Sequence, residues 1–182
     1  MNEVNLKVRE VLPEEIPRLV DYFHQASPEY LIQLGADIQK LPPRDEWVAF
    51  IEKDQARPYP KREFYYLIWE RDGQAIGHNN INKLQYGKEA YMHLHLWDNG
   101  QRQKGLGQAF LRQSIPLFFQ HFELEALYCE PHAHNPAPNR TLPKLGFRFI
   151  KEYETTPGFI NFHQLVRRYV LKREDLAKLS DG

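Results

Sequence analysis

The sequence is poor in cysteine and has no long apolar run. Cys129 is the only cysteine among 182 residues, so the chain cannot form an internal disulfide. No apolar run approaches the roughly 20 residues that a membrane-spanning helix needs. The first five residues lack the basic and then apolar pattern of a secretory signal. These absences predict a cytoplasmic protein with no membrane partner.

Neither sign of charge is in excess. Lys and Arg together number 24, and so do Asp and Glu. A balanced chain has no general basic field, which argues against nucleic acid as a partner. The length and a hydrophobic content of 42% are typical of a globular protein with an ordinary core. We therefore expect residues 1–182 to form a single domain.

The spacing of apolar residues predicts an α+β fold. Strands are expected at 6–9, 64–69, 75–84, 89–97, 124–130, 147–153 and 162–171. Helices are expected at 13–25, 28–34, after Pro42-Pro43, at 106–119 and at 137–145. A hairpin turn at 71–74 and a final antiparallel pair give a mixed, mainly antiparallel twisted sheet of about six to seven strands, flanked by helices.

Two prolines fall inside predicted helices. Pro116 removes one backbone hydrogen bond from the helix at 106–119 and should bend it toward its C-terminal end. Pro143 falls inside the short helix at 137–145, so we expect that helix to be distorted or only one turn long.

The most informative motif is the glycine turn Arg-Gln-Lys-Gly-Leu-Gly at 102–107, which joins a predicted strand to a predicted helix. Such a turn leaves backbone N–H groups unpaired at the positive end of the helix dipole, so it is suited to bind a phosphate. Gly105 and Gly107 lack a Cβ atom and let a ligand approach closely. The spacing fits neither a Walker loop nor a dinucleotide fingerprint, because Phe110 stands where the third glycine would be.

A second segment, residues 135–147, reads Asn-Pro-Ala-Pro-Asn-Arg-Thr-Leu-Pro-Lys-Leu-Gly-Phe. The glycine turn resembles the Arg/Gln-x-x-Gly-x-Gly/Ala motif of the GNAT superfamily of acyl-CoA-dependent N-acetyltransferases. The second segment resembles that superfamily's Asn-x-Ala-Ser-x-Arg-x-x-x-Lys-Leu-Gly-Phe segment and is most similar to the branch of ribosomal-protein N-terminal acetyltransferases. Together the two matches cover the C-terminal half, whereas the N-terminal half resembles the family only in its order of elements.

The resemblance implies a GNAT-like fold, acetyl-CoA as the acyl donor and no metal. It implies that the CoA pyrophosphate binds at the glycine turn and the pantetheine arm at the edge of the preceding strand. The implied cofactor-binding residues are Leu96, Trp97, Arg102, Gln103, Lys104, Gly105, Leu106, Gly107, Gln108, Asn135, Asn139 and Arg140. The implied acceptor is a primary amine of a small molecule, an amino-acid derivative or a peptide N-terminus. Dimers are common among relatives, so a homodimer is expected too.

Acetyl transfer to an amine needs a base, because only the neutral amine is nucleophilic, and histidine titrates in the matching range. His93 and His95 are two apart on a predicted strand and therefore share a face with Tyr91. Counted back from the glycine turn, the resemblance places His93 and Tyr91 where arylalkylamine N-acetyltransferases carry two catalytic histidines. We predict His93 as the base, with Tyr91 and Glu89 as further catalytic candidates.

The acid that protonates the departing thiolate is less defined. Many relatives carry a tyrosine at the position of Leu142, which cannot donate a proton. Tyr128, Tyr153 and His134 remain as candidate donors, and Glu130 as an alternative base.

Other interpretations of the same residues stay open. The loss of tyrosine at Leu142 and the unusual Pro143 favour a non-catalytic acyl-CoA-binding or regulatory module. The four histidines at 93, 95, 132 and 134 allow a metal site, although their spacing is not that of a structural zinc site. The strand histidines also fit a purely structural role. By analogy with the family, helices between residues 22 and 51 and the segment 155–163 wall the acceptor site.

Overall fold

The computed structural model describes residues 4–97 and 105–180 of the chain. A sheet of seven strands runs through it, in the order β1-β2-β3-β4-β5-β7-β6. The strands are β1 (Leu6–Glu10), β2 (Tyr65–Arg71), β3 (Gln74–Gln85), β4 (Glu89–Leu96), β5 (Ala126–Cys129), β6 (Arg148–Thr155) and β7 (Gln164–Lys172). Every neighbouring pair is antiparallel except β4 and β5. The predicted α+β fold with a mixed, mainly antiparallel sheet is therefore confirmed.

In the described residues, five α-helices flank the sheet: α1 (Ile16–His24), α2 (Pro28–Gln33), α3 (Arg44–Gln55), α4 (Leu106–Phe122) and α5 (Pro136–Lys144). Short 3-10 helices lie at Pro13–Glu15, Ile38–Lys40, Tyr59–Lys61 and Arg173–Ser180. None of the helices in the described part of the chain is both long and apolar enough to cross a membrane.

The sheet separates two apolar layers, and β2 contributes to both. Tyr65, Leu67 and Trp69 pack with α4 on one face, whereas Tyr66 and Ile68 pack with α1 and α3 on the other. Successive side chains of a strand point to opposite faces, and burial of both faces explains why β2 is a continuous apolar run. The helices α1 and α3 thus cover the face of the sheet that bears the polar residues described below.

Strands β4 and β5 pair only briefly. Their parallel pairing covers Glu89 to Tyr91 opposite Ala126 to Tyr128, but β4 continues to Leu96. Within the described residues, the edge of β4 from His93 to Leu96 that faces away from β3 has no partner strand. The two strands therefore form a fork with a free backbone edge.

Both helices with an internal proline are longer than one turn. α5 has nine residues despite Pro143, so the expectation of a single turn is wrong. Pro136 and Pro138 lie in the first turn, where no N–H partner is needed, and Pro143 lies in the last turn, where it removes one bond. α4 likewise continues through Pro116 to Phe122.

Candidate active site

Polar residues cover one face of the β3–β4 hairpin. Three directly opposed cross-strand pairs lie on this face: His78 with His95, Asn80 with His93, and Asn82 with Tyr91. They share a face because they are spaced two apart along each strand. Asn82 is the last of them before a bulge, where Lys83 adopts a positive φ of 47°.

A cavity, which we call the histidine cleft, lies over this face. Its floor consists of His78, Asn80, Asn82, His93 and His95. Phe23 of α1 and Trp47 of α3 form one wall, and Tyr66 of β2 another. The β6–β7 loop closes the cleft with Phe159 and Ile160. The cavity measures about 80 Å³, room for roughly six water molecules if each takes about 10–15 Å³.

Two segments were predicted to wall the acceptor site: the helices between residues 22 and 51, and residues 155–163. Their backbones contact each other at this cleft. The Asp37 N–H donates to the Ile160 carbonyl at 2.7 Å, and Gln164 Nε2 donates to the Gly35 carbonyl at 2.9 Å. Gly35 has a φ of +73°, and a Cβ atom there would lie 2.3 Å from Gln164 Oε1. Glycine suits this crossing between the α2–α3 connection and the start of β7, because φ is positive there and a Cβ atom would displace the Gln164 side chain.

His78 is held neutral by its hydrogen bond. Trp97 Nε1 donates to His78 Nδ1 at 2.7 Å. Because an indole N–H is a donor only, Nδ1 must carry the lone pair. Burial lowers the pKa of His78 to about 3, with a smaller contribution from His93. Protonation would break the bond to Trp97 and leave a buried charge.

His95 stacks on His78 with ring centroids 4.9 Å apart, and the edges of Tyr22 and Phe23 pack around it. Its buried Nδ1 has no hydrogen-bond partner among the described residues. An imidazolium needs acceptors for both N–H groups, so this ring is poorly placed to take a second proton. Burial, followed by the neighbouring histidines, moves the pKa of His95 well below its ordinary value.

His93 has one ring nitrogen fixed by a hydrogen bond. Its Nε2 lies 3.1 Å from Asn82 Oδ1. A carboxamide oxygen only accepts, so Nε2 carries the hydrogen and Nδ1 the lone pair. Burial, with a contribution from the Lys83 ammonium, lowers the pKa of His93 to about 4. The ring is therefore neutral at pH 7 and able to accept a proton.

One ion pair and three tyrosines lie beside the cleft, in a group that we call the Arg168 cluster: Tyr91, Tyr128, Glu130, Tyr153 and Arg168. Arg168 Nε lies 3.6 Å from a Glu130 oxygen, and the Glu130 side chain is only 3% exposed. The Tyr153 hydroxyl donates to Glu130, and Arg168 donates to the Tyr91 hydroxyl. Burial and this bond to Glu130 raise the pKa of Tyr153 to about 12.

The remaining catalytic candidates lie apart from the cleft. Glu89 begins β4, four residues before His93, and contacts Gln85 at 3.4 Å. Four strand residues correspond to about 13 Å. His134 is exposed. Cys129 is buried, its thiol donates to the Met92 carbonyl at 3.3 Å, and burial raises its pKa to about 12, so it is an unreactive thiol.

The glycine turn is described only from Gly105 onward; Arg102, Gln103 and Lys104 lie outside the described residues. Gly105 precedes α4 with a φ of 89°, a conformation that favours glycine. Gly107 has no such need, and a Cβ atom there would meet nothing within 4 Å. The first helical bond within the described residues runs from Ala109 N to Gly105 O, and the N–H groups of Leu106, Gly107 and Gln108 have no backbone partner among those residues. This open helix start fits a pyrophosphate.

The second motif surrounds the start of α5. Asn139 Nδ2 donates to the backbone carbonyls of His132 and Asn135, at 3.0 and 2.6 Å. Its Oδ1 accepts from the Tyr169 hydroxyl. Asn139 thus fastens the β5–α5 loop to α5, whereas Asn135 makes no side-chain cap and Arg140 is exposed.

Sequence reasoning missed three of the five residues on the cleft floor. His78, Asn80 and Asn82 were not singled out, although polar residues at every second position of an apolar strand are a detectable signal. In the described residues, no three or more His, Cys, Asp or Glu side chains are placed to hold a metal ion. His132 and His134 contact each other, with ring centroids 5.5 Å apart, but belong to the loop after β5 rather than to the floor.

Comparisons with known proteins agree with this arrangement. A family model described as an acetyltransferase (GNAT) domain matches residues 5–148. No curated protein sequence matches the chain. Among solved structures, a ribosomal-protein alpha-N-acetyltransferase (RimL) in complex with coenzyme A superposes with a TM-score of 0.72 at 14% identity, covering 92% of this chain and 93% of that one.

A spermidine N-acetyltransferase from Vibrio cholerae, in complex with CoA and spermine, superposes with a TM-score of 0.76 at 14% identity and covers 94% of this chain and 98% of that one. An uncharacterized protein from Bacillus halodurans gives 0.69 at 14% identity, covering 97% and 89%. At this identity the likeness establishes a shared fold.

Proposed function

The chain belongs to the GNAT acetyltransferase family, and we propose that it transfers the acetyl group of acetyl-CoA to a primary amine by direct attack in a ternary complex. The observation that carries this proposal is the fork between β4 and β5, whose β4 edge from His93 to Leu96 is free among the described residues and runs beside the histidine cleft. We further propose that residues 1–182 act as one acetyltransferase domain.

The donor binds along the fork. The N–H groups of Leu106, Gly107 and Gln108 bind the pyrophosphate, and Arg102, Gln103 and Lys104 are proposed to complete this site. The pantetheine arm follows the free edge of β4 toward Leu96 and Trp97, where main-chain groups are available for pairing. Asn135 and Arg140 lie near the start of α5 and are proposed to contact the same arm. Acetyl-CoA supplies the activated acetyl group.

The acceptor nitrogen attacks from the cleft. A new N–C bond forms, the C–S bond breaks, and the amine proton passes to His93 Nδ1, directly or through one water. A backbone N–H near Leu96 stabilises the oxyanion, and holding both substrates in line supplies much of the rate. We propose Tyr91 as a residue that positions His93 and retain Glu89 as an alternative base.

The departing thiolate takes its proton from a separate group. Leu142 is fully buried in the core and supplies none. Tyr153 already donates to the Glu130 carboxylate, and its raised pKa makes it a poor acid. Tyr128 stacks on Tyr91 at the last pair before the fork, so we favour Tyr128 over Tyr153.

The burial of Leu142 favours a second candidate, a non-catalytic acyl-CoA-binding or regulatory module. Both candidates predict cofactor binding, but only the first predicts release of CoA on addition of an amine. The acceptor is proposed to be a small amine or a peptide N-terminus, and a homodimer remains a proposal.

Calorimetry with acetyl-CoA tests the donor site. Gly107→Glu places a carboxylate in the open space at the helix start without the backbone strain of a positive φ. We expect its affinity to fall at least about tenfold, which corresponds to about 1.4 kcal/mol. Gln120→Glu, exposed on the same helix, adds the same charge and should bind as wild type.

If wild type does not bind acetyl-CoA, the proposed function is wrong. Binding without thiol release across a panel of amines would instead favour the regulatory module. Circular dichroism of each variant establishes that its fold is intact.

A further inference from the structure

We infer that the acceptor is the neutral α-amine of a residue with an apolar side chain, either an amino-acid amide or a peptide N-terminus, and that polyamines and lysine-type amines are excluded. This inference rests on the proposed function and assigns its substrate class. It follows from the chemistry of the histidine cleft, from its aromatic rim and from the basicity of amines.

The cleft offers no countercharge to an ammonium ion. Its described lining contains His, Asn and aromatic or aliphatic residues, but no Asp, Glu, Lys or Arg. An ammonium group taken from water into such a site loses its hydration and gains no ionic partner, which is strongly unfavourable. A cavity built for a polyamine needs carboxylates, and the described residues place none on this surface.

Charges on the elements around the cleft do not compensate. On α3, Asp54 accepts from the backbone N–H groups of Glu63 and Phe64 at 3.0 and 2.9 Å and is only 1% exposed. Directly after β5, Glu130 is paired with Arg168 of β7. The charge acting on His93 is the Lys83 cation of β3, which opposes a second cation.

The titratable groups facing the cleft are held uncharged as well. His78 accepts from Trp97, the buried Nδ1 of His95 lacks a partner among the described residues, and Tyr66 of β2 has a pKa raised by burial. Neutral groups suit a neutral amine: His93 Nδ1 and the Asn80 amide oxygen can accept its two N–H bonds. Asn80 is 9% exposed, and its side-chain amide makes no hydrogen bond to another described residue.

The mouth of the cleft is aromatic. Phe159 lies 5.8 Å from Trp47 and 6.0 Å from Phe64, between ring centroids. Phe159 is nevertheless 49% exposed, and Phe50, which packs on Phe64, is 40% exposed. The cavity itself has room for only a few heavy atoms, so the amine enters and the attached side chain lies on this rim. Exposed aromatic surface beside a cavity favours an apolar side chain.

The basicity of the acceptor then sets the selectivity. An α-amino group has a pKa of about 7.7–8.0, whereas a lysine ε-amino group has one of about 10.4. Near neutral pH the α-amine is therefore neutral in a fraction roughly 300-fold larger. A cleft that admits only the uncharged form gains this preference without contacting the rest of the substrate.

A single peptide that carries both kinds of amine measures the preference for the α-amine over the ε-amine. The full chain is incubated with acetyl-CoA and a peptide that carries an N-terminal Phe and one internal Lys, and tandem mass spectrometry locates the acetyl group. Phenylalanine amide, the same peptide beginning with Asp, and spermidine are assayed beside it. Comparing kcat/KM for phenylalanine amide with kcat/KM for the Phe peptide distinguishes the two kinds of acceptor. A higher value for the amide indicates a small-molecule acceptor, and a higher value for the peptide indicates a peptide acceptor.

We expect α-acetylation at least about 100-fold faster than ε-acetylation, a weaker reaction of the Asp peptide, and no reaction of spermidine. kcat/KM for the α-amine should rise with pH and level off near the acceptor's own pKa. Asn80→Asp, which places a carboxylate opposite His93, should reduce the preference for α-amine over ε-amine at least about tenfold. Gln120→Glu is the charge-matched control and should not change it.

Acetylation of spermidine or of the internal Lys as fast as that of the α-amine would overturn the substrate class and leave the proposed function standing. Acetyl-CoA binding with no acetylation of any amine would overturn both. If Asn80→Asp does not fold, the wild-type pH profile decides: a kcat/KM that does not follow the neutral amine contradicts the inference.

Discussion

The histidine cleft and the Arg168 cluster lie side by side on one face of the sheet, and β4 contributes to both. His93 belongs to the cleft, and Tyr91, two residues earlier on the same face, belongs to the cluster. The cleft buries its ionisable groups as neutral rings, whereas the cluster buries a carboxylate by pairing it with a guanidinium. Two adjacent regions thus meet the cost of polar burial in opposite ways.

This difference distinguishes residues that can take part in catalysis from residues that stabilise the fold. A neutral imidazole with a free lone pair can take a proton, but a carboxylate bound by Arg168 and Tyr153 has little capacity left to do so. The cluster instead fastens β5, β6 and β7 next to the fork. Changes at Glu130, Tyr153 or Arg168 should therefore act mainly on stability, and changes in the cleft mainly on pH dependence and turnover.

The largest effect is expected from breaking the buried pair. Arg168→Met leaves the Glu130 carboxylate, 3% exposed, without its cation, and should lower the free energy of unfolding by about 3–5 kcal/mol. Arg167→Met is the matched control, because Arg167 pairs with Glu152 at 2.8 Å with both side chains about 40% exposed, and should cost less than about 1 kcal/mol. Urea unfolding of both variants measures the difference, and equal losses would mean that the cluster is not a buried pair.

Acid should destabilise the protein through the cleft. The folded-state pKa values of His78 and His93 are about 3 and about 4, and that of His95 is also lowered, against about 6.5 in the unfolded chain. Between these values the unfolded state binds more protons, so stability is complete above about pH 6.5 and is lost as the pH falls. We expect His78 and His93 alone to contribute a loss of about 4 kcal/mol between pH 7 and pH 5.

Replacement of one ring tests the origin of that loss. His95→Phe removes one titrating group without orphaning a hydrogen-bond partner and should flatten the dependence of unfolding free energy on pH. His163→Gln, whose side chain is 65% exposed, should leave the slope as it is. A slope unchanged by His95→Phe would mean that carboxylates, rather than the cleft, cause the acid sensitivity.

Much of the fold could be predicted because its signals are local. Alternation, helical periodicity and turn residues predicted all seven strands and the order of helices, and the ends of α4 and β3 differ by only a few residues. The fork could not be predicted, because it depends on where β5 stops pairing with β4, and that register joins segments far apart in the chain. The prediction for Pro143 was wrong for a local reason: Gly146, at a φ of +84°, and backbone bonds to Leu142 and Pro143 terminate α5 only after this proline.

The candidate site was predictable on one strand and not on its neighbour. The spacing of His93 and His95 identifies a shared face from sequence alone, but His78 and Asn80 lie opposite them only through the β3–β4 register. The sequence also could not rank Tyr128 and Tyr153. Their difference is a contact across strands, the bond from Tyr153 to Glu130.

The smallest of these effects, and the most direct test of the division between the two regions, is on turnover. His93→Gln removes the free basic nitrogen and should lower kcat about 100-fold, the usual contribution of a general base. Tyr153→Phe, in the cluster, removes a hydroxyl whose proton already serves Glu130, so kcat should stay within about twofold. Since His93 is neutral down to about pH 4, wild-type kcat should show no titration of this ring between pH 6 and pH 8. If His93→Gln keeps wild-type turnover and an unchanged alkaline pH dependence, His93 is not the base. The base would then be a group outside the cleft, and Glu89 would be the next residue to replace.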